Sequence, residues 1–325
     1  MDQINWGIIG CGDVTEIKSG PAFNKVSGSK LIAVMRRNKE LAKDYARRHK
    51  VPKWYAGAGD LINDPEINAI YIATPPAYHK EFTIMAAEAG KPVYVEKPMA
   101  LNVGECEEMI NACNNNGVKL FVAYYRRALD RFLKIKELVD SNSIGDVRLV
   151  NINFSDIAKE SSDNLPWRVD PKIAGGGHFI DLASHMLDFL DYLFGPITIV
   201  KGLASNHAGL YEAEDIVSST FQFENGIHGC GSWCFSAFER ADKTEIIGDK
   251  GKIVYSTFDS EPIKLITNNG SNEFKIEYPE NIQLSLIQMV VDDLLGKGTS
   301  PSTGKTAIRT TYVMEEMIKE FYNSK

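Results

Sequence analysis

The ten residues "GIIGCGDVTE", residues 7–16, decide the fold of this chain. An apolar strand runs into Gly10 and Gly12, and a helix is expected to start directly after them. Glycines at these two positions let the strand turn tightly and let the backbone approach a pyrophosphate. The stretch therefore predicts the first strand-to-helix turn of a dinucleotide-binding domain, with cofactor contacts from Gly10, Cys11, Gly12, Asp13 and Val14.

The sequence that follows this turn alternates between short apolar runs and helical patterns as far as residue 123. The apolar runs are "NWGIIG", "KLIAVM", "NAIYIAT", "KPVYVE" and "KLFVAY". The helical patterns between them include "ELAKDYARRHK", "EFTIMAAEAG" and "NVGECEEMINACNNNG". Such alternation predicts a doubly wound parallel sheet with helices on both faces, the Rossmann arrangement.

The second half of the chain has a different pattern. Strand-like runs such as "VRLVNINF", "ITIVKGLAS" and "IVSSTFQF" follow one another with short turns, and three long helical segments accompany them. This predicts an α+β domain with a large, open, mostly antiparallel sheet. The predicted division is 1–125 for the dinucleotide-binding Rossmann domain and 126–325 for the substrate-binding and oligomerisation domain.

Composition narrows the classes of function. A net charge of −7 and a pI near 5.5 argue against nucleic acid as a partner and favour a small molecule. The five cysteines have no zinc-site spacing, so no metal is expected, and they suit a reduced compartment. No apolar run is long enough to span a membrane and no signal peptide is evident, so the sequence predicts a soluble, cytoplasmic protein.

The second strand ends in "AVMRRN". An NAD site usually places an acidic residue here for the ribose hydroxyls, but this chain has Arg36 and Arg37. Two arginines suit the 2′-phosphate of NADP, so NADP is the predicted cofactor, with NAD still possible. The alternative interpretation is that both arginines are simply solvated residues of an exposed loop.

Two further motifs, "ATPPAYH" and "VEKPMA", follow the ends of predicted strands, where open α/β sheets collect their ligands. Thr74, Pro75 and His79 in the first motif are candidate cofactor contacts, although His79 could equally have a structural or capping role. Glu96 and Lys97 in the second motif are candidates as well. The proline after Lys97 favours a cis peptide that aims the lysine. The alternative is a surface salt bridge between Glu96 and Lys97.

The segment "GGGHFIDLASHMLDFLDYLF", residues 175–194, predicts a helix with chemistry on one face. Asp181 and His185 are four residues apart, so a carboxylate and an imidazole share that face. The three glycines let another surface come close to the start of the helix. The alternative is an ordinary amphipathic helix whose polar stripe faces water.

Taken together, the "EKP" sequence, the "ATPPAYH" loop and "AGGGHFIDLASHMLDF" resemble the glucose-fructose oxidoreductase, inositol dehydrogenase and MocA family over essentially the whole chain. The resemblance implies hydride transfer between a nicotinamide and a sugar, polyol or keto-sugar, with Lys97, Asp181 and His185 as the catalytic set. Lys97 would bind the reacting oxygen and His185 would take the proton, so the two should converge on one cleft. Asp181 would orient the imidazole or bind a substrate hydroxyl.

The "PWR" sequence resembles the NADP-dependent anhydrofructose reductase and dihydrodiol dehydrogenase branches, which implies that Trp167 and Arg168 lie by the cofactor. Tyr125, Arg126 and His178 are candidate substrate contacts. The open sheet suggests a homodimer or homotetramer. Two other functions stay open: a catalytically silent dinucleotide-binding sensor, and an NAD-dependent glycosidase in which oxidation is transient.

Overall fold

The structure, a computed structural model, describes residues 2–158 and 165–324. The chain divides into two compact units. The first runs as far as Ala128 and also includes Pro279–Ile308, while the second contains Leu129–Tyr278 and the residues from Arg309 onward.

The described part of the first unit contains a six-stranded parallel sheet with the order β3-β2-β1-β4-β5-β6. Its strands are β1 (Ile4–Ile9), β2 (Ser29–Met35), β3 (Lys53–Tyr55), β4 (Ala69–Ile72), β5 (Val93–Val95) and β6 (Leu120–Val122). The helices of this half of the chain are α1 (Asp13–Glu16), α2 (Lys39–Arg48), α3 (Ala58–Ile62), α4 (His79–Glu88) and α5 (Val103–Asn115). The strand order is that of a Rossmann domain and confirms the predicted doubly wound sheet.

The central strands of this sheet are buried on both faces, as a parallel sheet covered by helices requires. In β4 and β5 every residue is buried, and in β1 only Asn5 is half-buried. Side-chain caps define two of the covering helices, because Asn38 accepts a hydrogen bond from the N–H of Leu41 and Asn102 accepts one from the N–H of Glu105. The short β3 and α3 were not predicted, since β3 is only three residues long and none of its side chains is buried.

The described part of the second unit contains an eight-stranded sheet with the order β14-β13-β12-β11-β7-β10-β9-β8. Its strands are β7 (Val147–Ser155), β8 (Ile197–Ser205), β9 (Ile216–Phe223), β10 (His228–Cys234), β11 (Ala241–Gly248), β12 (Gly251–Tyr255), β13 (Ile263–Thr267) and β14 (Gly270–Phe274). Every neighbouring pair is antiparallel except β7 and β10, which are parallel. This confirms the large, mostly antiparallel sheet, although β13 and β14 had not been predicted.

The helices of the second half of the chain are α6 (Asp130–Asp140), α7 (Pro171–Ala174), α8 (His178–Phe194), α9 (Leu284–Leu294) and α10 (Gly304–Asn323). Helix α8 packs on the sheet through Phe179, whose ring meets Trp233 of β10 edge-on at 5.1 Å. The edge strand β8 exposes Ile199 and Leu203, which have 53% and 74% of their surface accessible. In the parts of the chain that the structure describes, no helix is both long and apolar enough to cross a membrane.

The compact units differ from the predicted division at two places: the first boundary lies after Ala128 instead of residue 125, and residues 279–308 return to the first unit. Specific hydrogen bonds explain the return. The side chain of Asn281 donates to the carbonyl of Ile17 at 2.6 Å, and the ammonium of Lys119 lies 2.5 Å from the carboxylate of Asp293. Assignment of nucleotide and substrate roles to the two parts of the chain stays a prediction.

Helix α10 approaches β8 so closely that Gly202 has no room for a side chain. A Cβ atom at Gly202 would lie 2.2 Å from the carbonyl oxygen of Met317, which is backbone and cannot move aside locally. We expect Gly202→Ala to lower the free energy of unfolding by about 1–3 kcal/mol, the usual cost of overpacking. Chemical denaturation checks this.

Gly59→Ala is the matched control, because a Cβ at this position in α3 would meet its nearest neighbour, Cε of Met85, at 4.0 Å. This variant should be stabilised by about 0.5–1 kcal/mol through helix propensity. Equal effects of the two substitutions would contradict the packing argument.

Candidate active site

The turn after β1 is built as the sequence predicts. Gly10 has a φ of +90°, and a Cβ there would lie 2.8 Å from Cγ2 of Thr74. A Cβ at Gly12 would meet its nearest neighbour, the carbonyl oxygen of Gly10, at 3.8 Å, so the turn has open space on that side. Asp13 and Val14 then begin α1, whose first N–H groups have no partner within the helix.

Helix α1 is shorter than expected, because it makes a single turn and a 3₁₀ helix at Gly20–Asn24 follows it. The packing of Thr15 accounts for this. Its side chain is buried, its carbonyl accepts a hydrogen bond from Tyr45 at 2.7 Å, and a Cβ at Gly20 would lie 2.2 Å from that carbonyl oxygen. The chain must therefore change direction after Glu16.

Thr74 and Pro75 lie beside the glycine turn. The hydroxyl of Thr74 is buried, and within residues 2–158 and 165–324 it has no hydrogen-bond partner. A buried hydroxyl without a partner, next to a glycine turn with open space, is the arrangement that a phosphate or amide of a dinucleotide would complete. The residues present therefore fit a dinucleotide.

Arg36 and Arg37 lie at the carboxyl end of β2. Arg36 donates from Nη1 to the carbonyl of Cys11 at 3.3 Å, which holds its guanidinium against the glycine turn. The guanidinium of Arg37 lies over the ring of Tyr78, 5.4 Å from its centroid. Neither arginine forms an ion pair with a carboxylate in the described part of the chain.

Glu96 and Lys97 follow β5, and the peptide bond between Lys97 and Pro98 is cis, as predicted. Glu96 is only 7% exposed. Its carboxylate accepts hydrogen bonds from the hydroxyl of Tyr71, from Nε2 of Gln283 at 2.6 Å and from the N–H of Lys97 at 3.3 Å. A surface salt bridge, the alternative interpretation of this pair, is excluded because Glu96 is not at the surface.

His79 is buried between the two motif loops, with backbone carbonyl oxygens beside both ring nitrogens; a neutral imidazole has one N–H and donates to one loop only. Its Nε2 lies 2.7 Å from the carbonyl oxygen of Thr74, and its Nδ1 lies 3.1 Å and 3.2 Å from those of Pro98 and Met99. The side chain is completely buried, and this burial lowers the pKa of His79. The structure thus favours the structural role of His79 over the cofactor contact.

The three glycines before α8 make room for Glu214. A Cβ at Gly177 would lie 2.7 Å from the backbone oxygen of Glu214, and one at Gly176 would lie 3.1 Å from its carboxylate. The carboxylate of Glu214 is buried, accepts the N–H of Gly177 at 2.8 Å and accepts the hydroxyl of Tyr322 at 2.7 Å. Burial raises the pKa of Glu214. The surface expected to approach these glycines is therefore an acidic side chain of the same unit.

Most of the polar stripe of α8 is buried, which disfavours the alternative of an ordinary amphipathic helix with a wet face; His178 and Asp181 are half-buried. Ser184 is fully buried, while His185 and Asp188 are only 4% and 1% exposed. The ring of His185 meets Phe258 edge-on at 6.0 Å. Asp181, on the same face, lies 3.3 Å from Nε of Arg168.

Arg168 belongs to the "PWR" sequence, where a 3₁₀ helix spans Trp167–Val169. Its guanidinium stacks over the ring of Trp167 at 4.5 Å, and Trp167 is 38% exposed. The structure thus brings Trp167, Arg168 and Asp181 together within the second unit. Cofactor contacts by Trp167 and Arg168 stay a prediction.

The candidate substrate residues lie in both units. Tyr125 and Arg126 are buried in a 3₁₀ helix of the first unit, where the guanidinium of Arg126 lies 5.2 Å from the centre of the Tyr125 ring. His178 is half-buried in the second unit, and its ring contacts those of Tyr211 and Phe235 at 5.9 Å and 5.6 Å. That Lys97 and His185 meet at one substrate remains a prediction.

Sequence reasoning missed Tyr71, Gln283 and Glu214, whose hydrogen bonds hold the candidate residues in place. Tyr71 could have been suspected, because a phenol in a fully buried strand needs a polar partner. Gln283 and Glu214 gave no signal, since each acts on a residue far away in the sequence. The described residues contain no group of three or more metal-binding side chains.

A parallel sheet with this strand order and a glycine turn after its first strand defines a dinucleotide-binding protein. Comparison with known families agrees. Residues 4–124 match the oxidoreductase family with an NAD-binding Rossmann fold, and residues 132–254 match the GFO/IDH/MocA C-terminal domain. The chain belongs to the GFO/IDH/MocA family of oxidoreductases.

Individual relatives support this assignment. An oxidoreductase of Formosa agariphila is 40% identical over 317 residues, which cover 96% of this chain and 98% of that protein. The trans-1,2-dihydrobenzene-1,2-diol dehydrogenase of Sus scrofa is 28% identical over 249 residues, 76% of this chain and 72% of that protein. The structure of a levoglucosan dehydrogenase in complex with NADH shares the fold, with a TM-score of 0.89 and 21% identity over 99% of this chain and 98% of that one.

The buried link through His79 generates a prediction about pH. The pKa of His79 is lowered in the folded protein, so below the ordinary value of about 6.5 the unfolded chain binds a proton that the folded protein resists. The contribution of His79 to stability is therefore present above pH 6.5 and is lost as the pH falls through the folded pKa. We expect His79→Gln to lower the free energy of unfolding by about 1–3 kcal/mol at pH 7.5 and by less at pH 5.

Denaturant titrations of wild type and variant across this pH range measure the difference. His228→Gln is the control, because His228 is exposed on β10 and should give no such pH-dependent difference. A wild-type advantage over His79→Gln that stays constant from pH 7.5 to pH 5 would contradict the burial of a neutral imidazole.

Proposed function

We propose that this protein is an NADP-dependent oxidoreductase that acts on the CH–OH group of a sugar or polyol, or on the carbonyl of a keto-sugar. The observation that carries the choice of cofactor is the pair Arg36 and Arg37 at the end of β2. A free ribose is usually bound there by an acid, and an acid would repel a 2′-phosphate. Planar guanidinium groups without a carboxylate partner suit a phosphate instead.

The reaction follows from the membership in an oxidoreductase family and from three residues. Bound NADP would supply the acceptor for the hydride, or NADPH its donor. The ammonium group of Lys97 donates a hydrogen bond to the reacting oxygen of the substrate and stabilises the charge that develops there. The imidazole of His185 takes the hydroxyl proton in oxidation and returns it in reduction, the general acid–base role that histidine performs most often.

Asp181 has a supporting role in this scheme. Its carboxylate is held by Arg168 at 3.3 Å, so it has a fixed direction on the face of α8 that also carries His185. A fixed carboxylate there can orient the imidazole or accept a hydrogen bond from a second substrate hydroxyl. Removal of Arg168 should therefore loosen the orientation of the Asp181 carboxylate, with less effect on Lys97 and His185.

The substrate class is supported by the names of the relatives. Dihydrodiol and levoglucosan dehydrogenases both bear the names of cyclic compounds with several hydroxyl groups. We infer a substrate of this kind for the present chain, with Tyr125, Arg126 and His178 as its contacts. A cytoplasmic location, and a homodimer or homotetramer formed through the face of the eight-stranded sheet, belong to the same proposal.

Substitution of the proposed acid and base tests the chemistry. We expect Lys97→Met and His185→Ala each to lower turnover by about 10²- to 10⁴-fold while NADP binding changes much less, because each residue acts on the substrate oxygen. The assay follows NADPH absorbance with levoglucosan, D-glucose, D-xylose, myo-inositol and trans-1,2-dihydrobenzene-1,2-diol. Lys30→Met and His228→Ala, which change exposed residues, should keep wild-type turnover.

The same assay, with a glycoside added to the panel and the products analysed, separates the three functions. A sensor would bind NADP tightly and turn over none of the compounds, and a glycosidase would hydrolyse a glycoside without net change in NADPH. Near-normal turnover in both Lys97→Met and His185→Ala would remove these residues from the mechanism.

The cofactor preference is tested by a second variant. We expect wild type to bind NADP about 10- to 100-fold more tightly than NAD, since a charge-assisted hydrogen bond to phosphate contributes about 1.5–3 kcal/mol. The double variant Arg36→Asp, Arg37→Ala should lose this preference, whereas Arg47→Ala, in an exposed ion pair with Asp44, should keep it. Fluorescence titration with both cofactors measures the ratio, and tighter wild-type binding of NAD would refute the assignment.

A further inference from the structure

Glu96 is a buried acid directly before the proposed catalytic lysine, and several hydrogen-bond donors converge on it. A buried carboxylate is costly unless donors satisfy it. All three of its hydrogen-bond partners donate, namely the hydroxyl of Tyr71, the amide nitrogen of Gln283 and the backbone N–H of Lys97. This set of donors suits a carboxylate held in one orientation.

The two side-chain donors are themselves fixed. The hydroxyl of Tyr94 donates to Oε1 of Gln283 at 2.8 Å, so the NH₂ group of that amide must point at Glu96. The ring of Tyr71 stacks on that of Tyr94 at 5.1 Å, and its oxygen lies 3.0 Å from Oγ of Ser19. Burial and the charge of Glu96 raise the pKa of Tyr71, so the phenol keeps the proton that it donates.

The donors in these contacts all lead towards the carboxylate of Glu96. Hydrogen bonds run from Tyr94 to Gln283 and from Gln283 to Glu96, and Tyr71 completes the carboxylate from β4. Oε1 takes both side-chain donors, while Oε2 takes the N–H of Lys97. A carboxylate held at one oxygen by two rigid partners thereby fixes the backbone from which the Lys97 side chain extends.

We propose that Tyr71 and Gln283 are positioning residues for catalysis, which hold Glu96 and through it set the direction of Lys97. The proposal rests on the proposed function, since it assigns Lys97 to the reacting oxygen. Gln283 belongs to residues 279–308, which the chain returns to the first unit, so this return supplies part of the catalytic machinery. Neither residue touches the substrate, and each acts through Glu96.

The variants Tyr71→Phe and Gln283→Leu test the proposal with a small change in volume. We expect each to lower kcat by about 10- to 100-fold, the cost of a reacting group displaced by about 1 Å, while KM for NADP stays near its wild-type value. Lys97 is also read out without substrate, by its rate of acylation with an amine-reactive reagent, measured for each lysine by mass spectrometry. That rate should change several-fold in both variants, and the rates of other lysines should not.

Each variant has a matched control in the same unit. The hydroxyl of Tyr55 donates to the buried carboxylate of Asp64 at 2.8 Å, as that of Tyr71 does to Glu96. Gln288, on α9, has a structural contact of the kind a control needs. Its side chain accepts the N–H of Ser27 and donates to the carbonyl of Ser27. Tyr55→Phe and Gln288→Leu each remove a side-chain hydrogen bond of the first unit but should keep wild-type kcat and Lys97 acylation.

The outcomes distinguish this proposal from the proposed function. If Lys97→Met retains turnover, the role of Lys97 fails and the proposal fails with it. If Lys97→Met is inactive while Tyr71→Phe and Gln283→Leu keep wild-type kcat, only the positioning role is overturned. Unchanged acylation of Lys97 in both variants overturns it as well, whether or not a substrate has been found. A fall in kcat equal to that of the controls would mean that the variants act through lost stability, and it would overturn the positioning role.

Discussion

The missing side chain at Gly10 is the constraint on which the first unit depends. Because Gly10 carries no Cβ, the loop after β4 can lie against the turn after β1 through Thr74. The carbonyl of Thr74 then binds His79, and His79 reaches the carbonyls of Pro98 and Met99. The carboxyl ends of three neighbouring strands are thus joined in one chain of contacts, which connects the glycine turn to the loop of Lys97.

The second unit uses the same physical device at the start of α8. A buried carboxylate, Glu214, binds the backbone at Gly177 and takes a hydroxyl from Tyr322. In both units a buried acid with several donors fixes a short backbone segment next to a candidate catalytic residue. The desolvation of such an acid costs free energy, and the hydrogen bonds that offset this cost work only in one geometry. Holding these backbone segments in one geometry therefore lowers the free energy of unfolding by part of the desolvation cost.

The sequence predicted those features of the structure that depend on residues close together in the chain. The glycine turn, the alternation of strands and helices, the bounds of α8 and the cis peptide at Lys97 all follow from residues that are neighbours in the chain. The polar stripe on α8 was open to two interpretations, because periodicity shows which residues share a face but not what covers that face. Burial of Ser184, His185 and Asp188 is a tertiary property, and the sequence pattern alone could not decide it. Gln283 and Glu214 escaped notice for a related reason, since their partners are separated from them by 187 and 37 residues.

The return of residues 279–308 has a consequence for the order in which the protein folds. The six strands of the first unit are synthesised before the second unit, yet the first unit lacks α9 until residues 129–278 of the second unit have been synthesised. During that interval Glu96 has no Gln283 and Lys119 has no Asp293, so the hydrogen bonds that satisfy the Glu96 carboxylate in the folded protein are incomplete. In the sequence, most of the second unit, residues 129–278, stands between the two segments of the first unit. Cotranslational folding of the nucleotide-binding sheet is therefore provisional, and its completion is a late, long-range event.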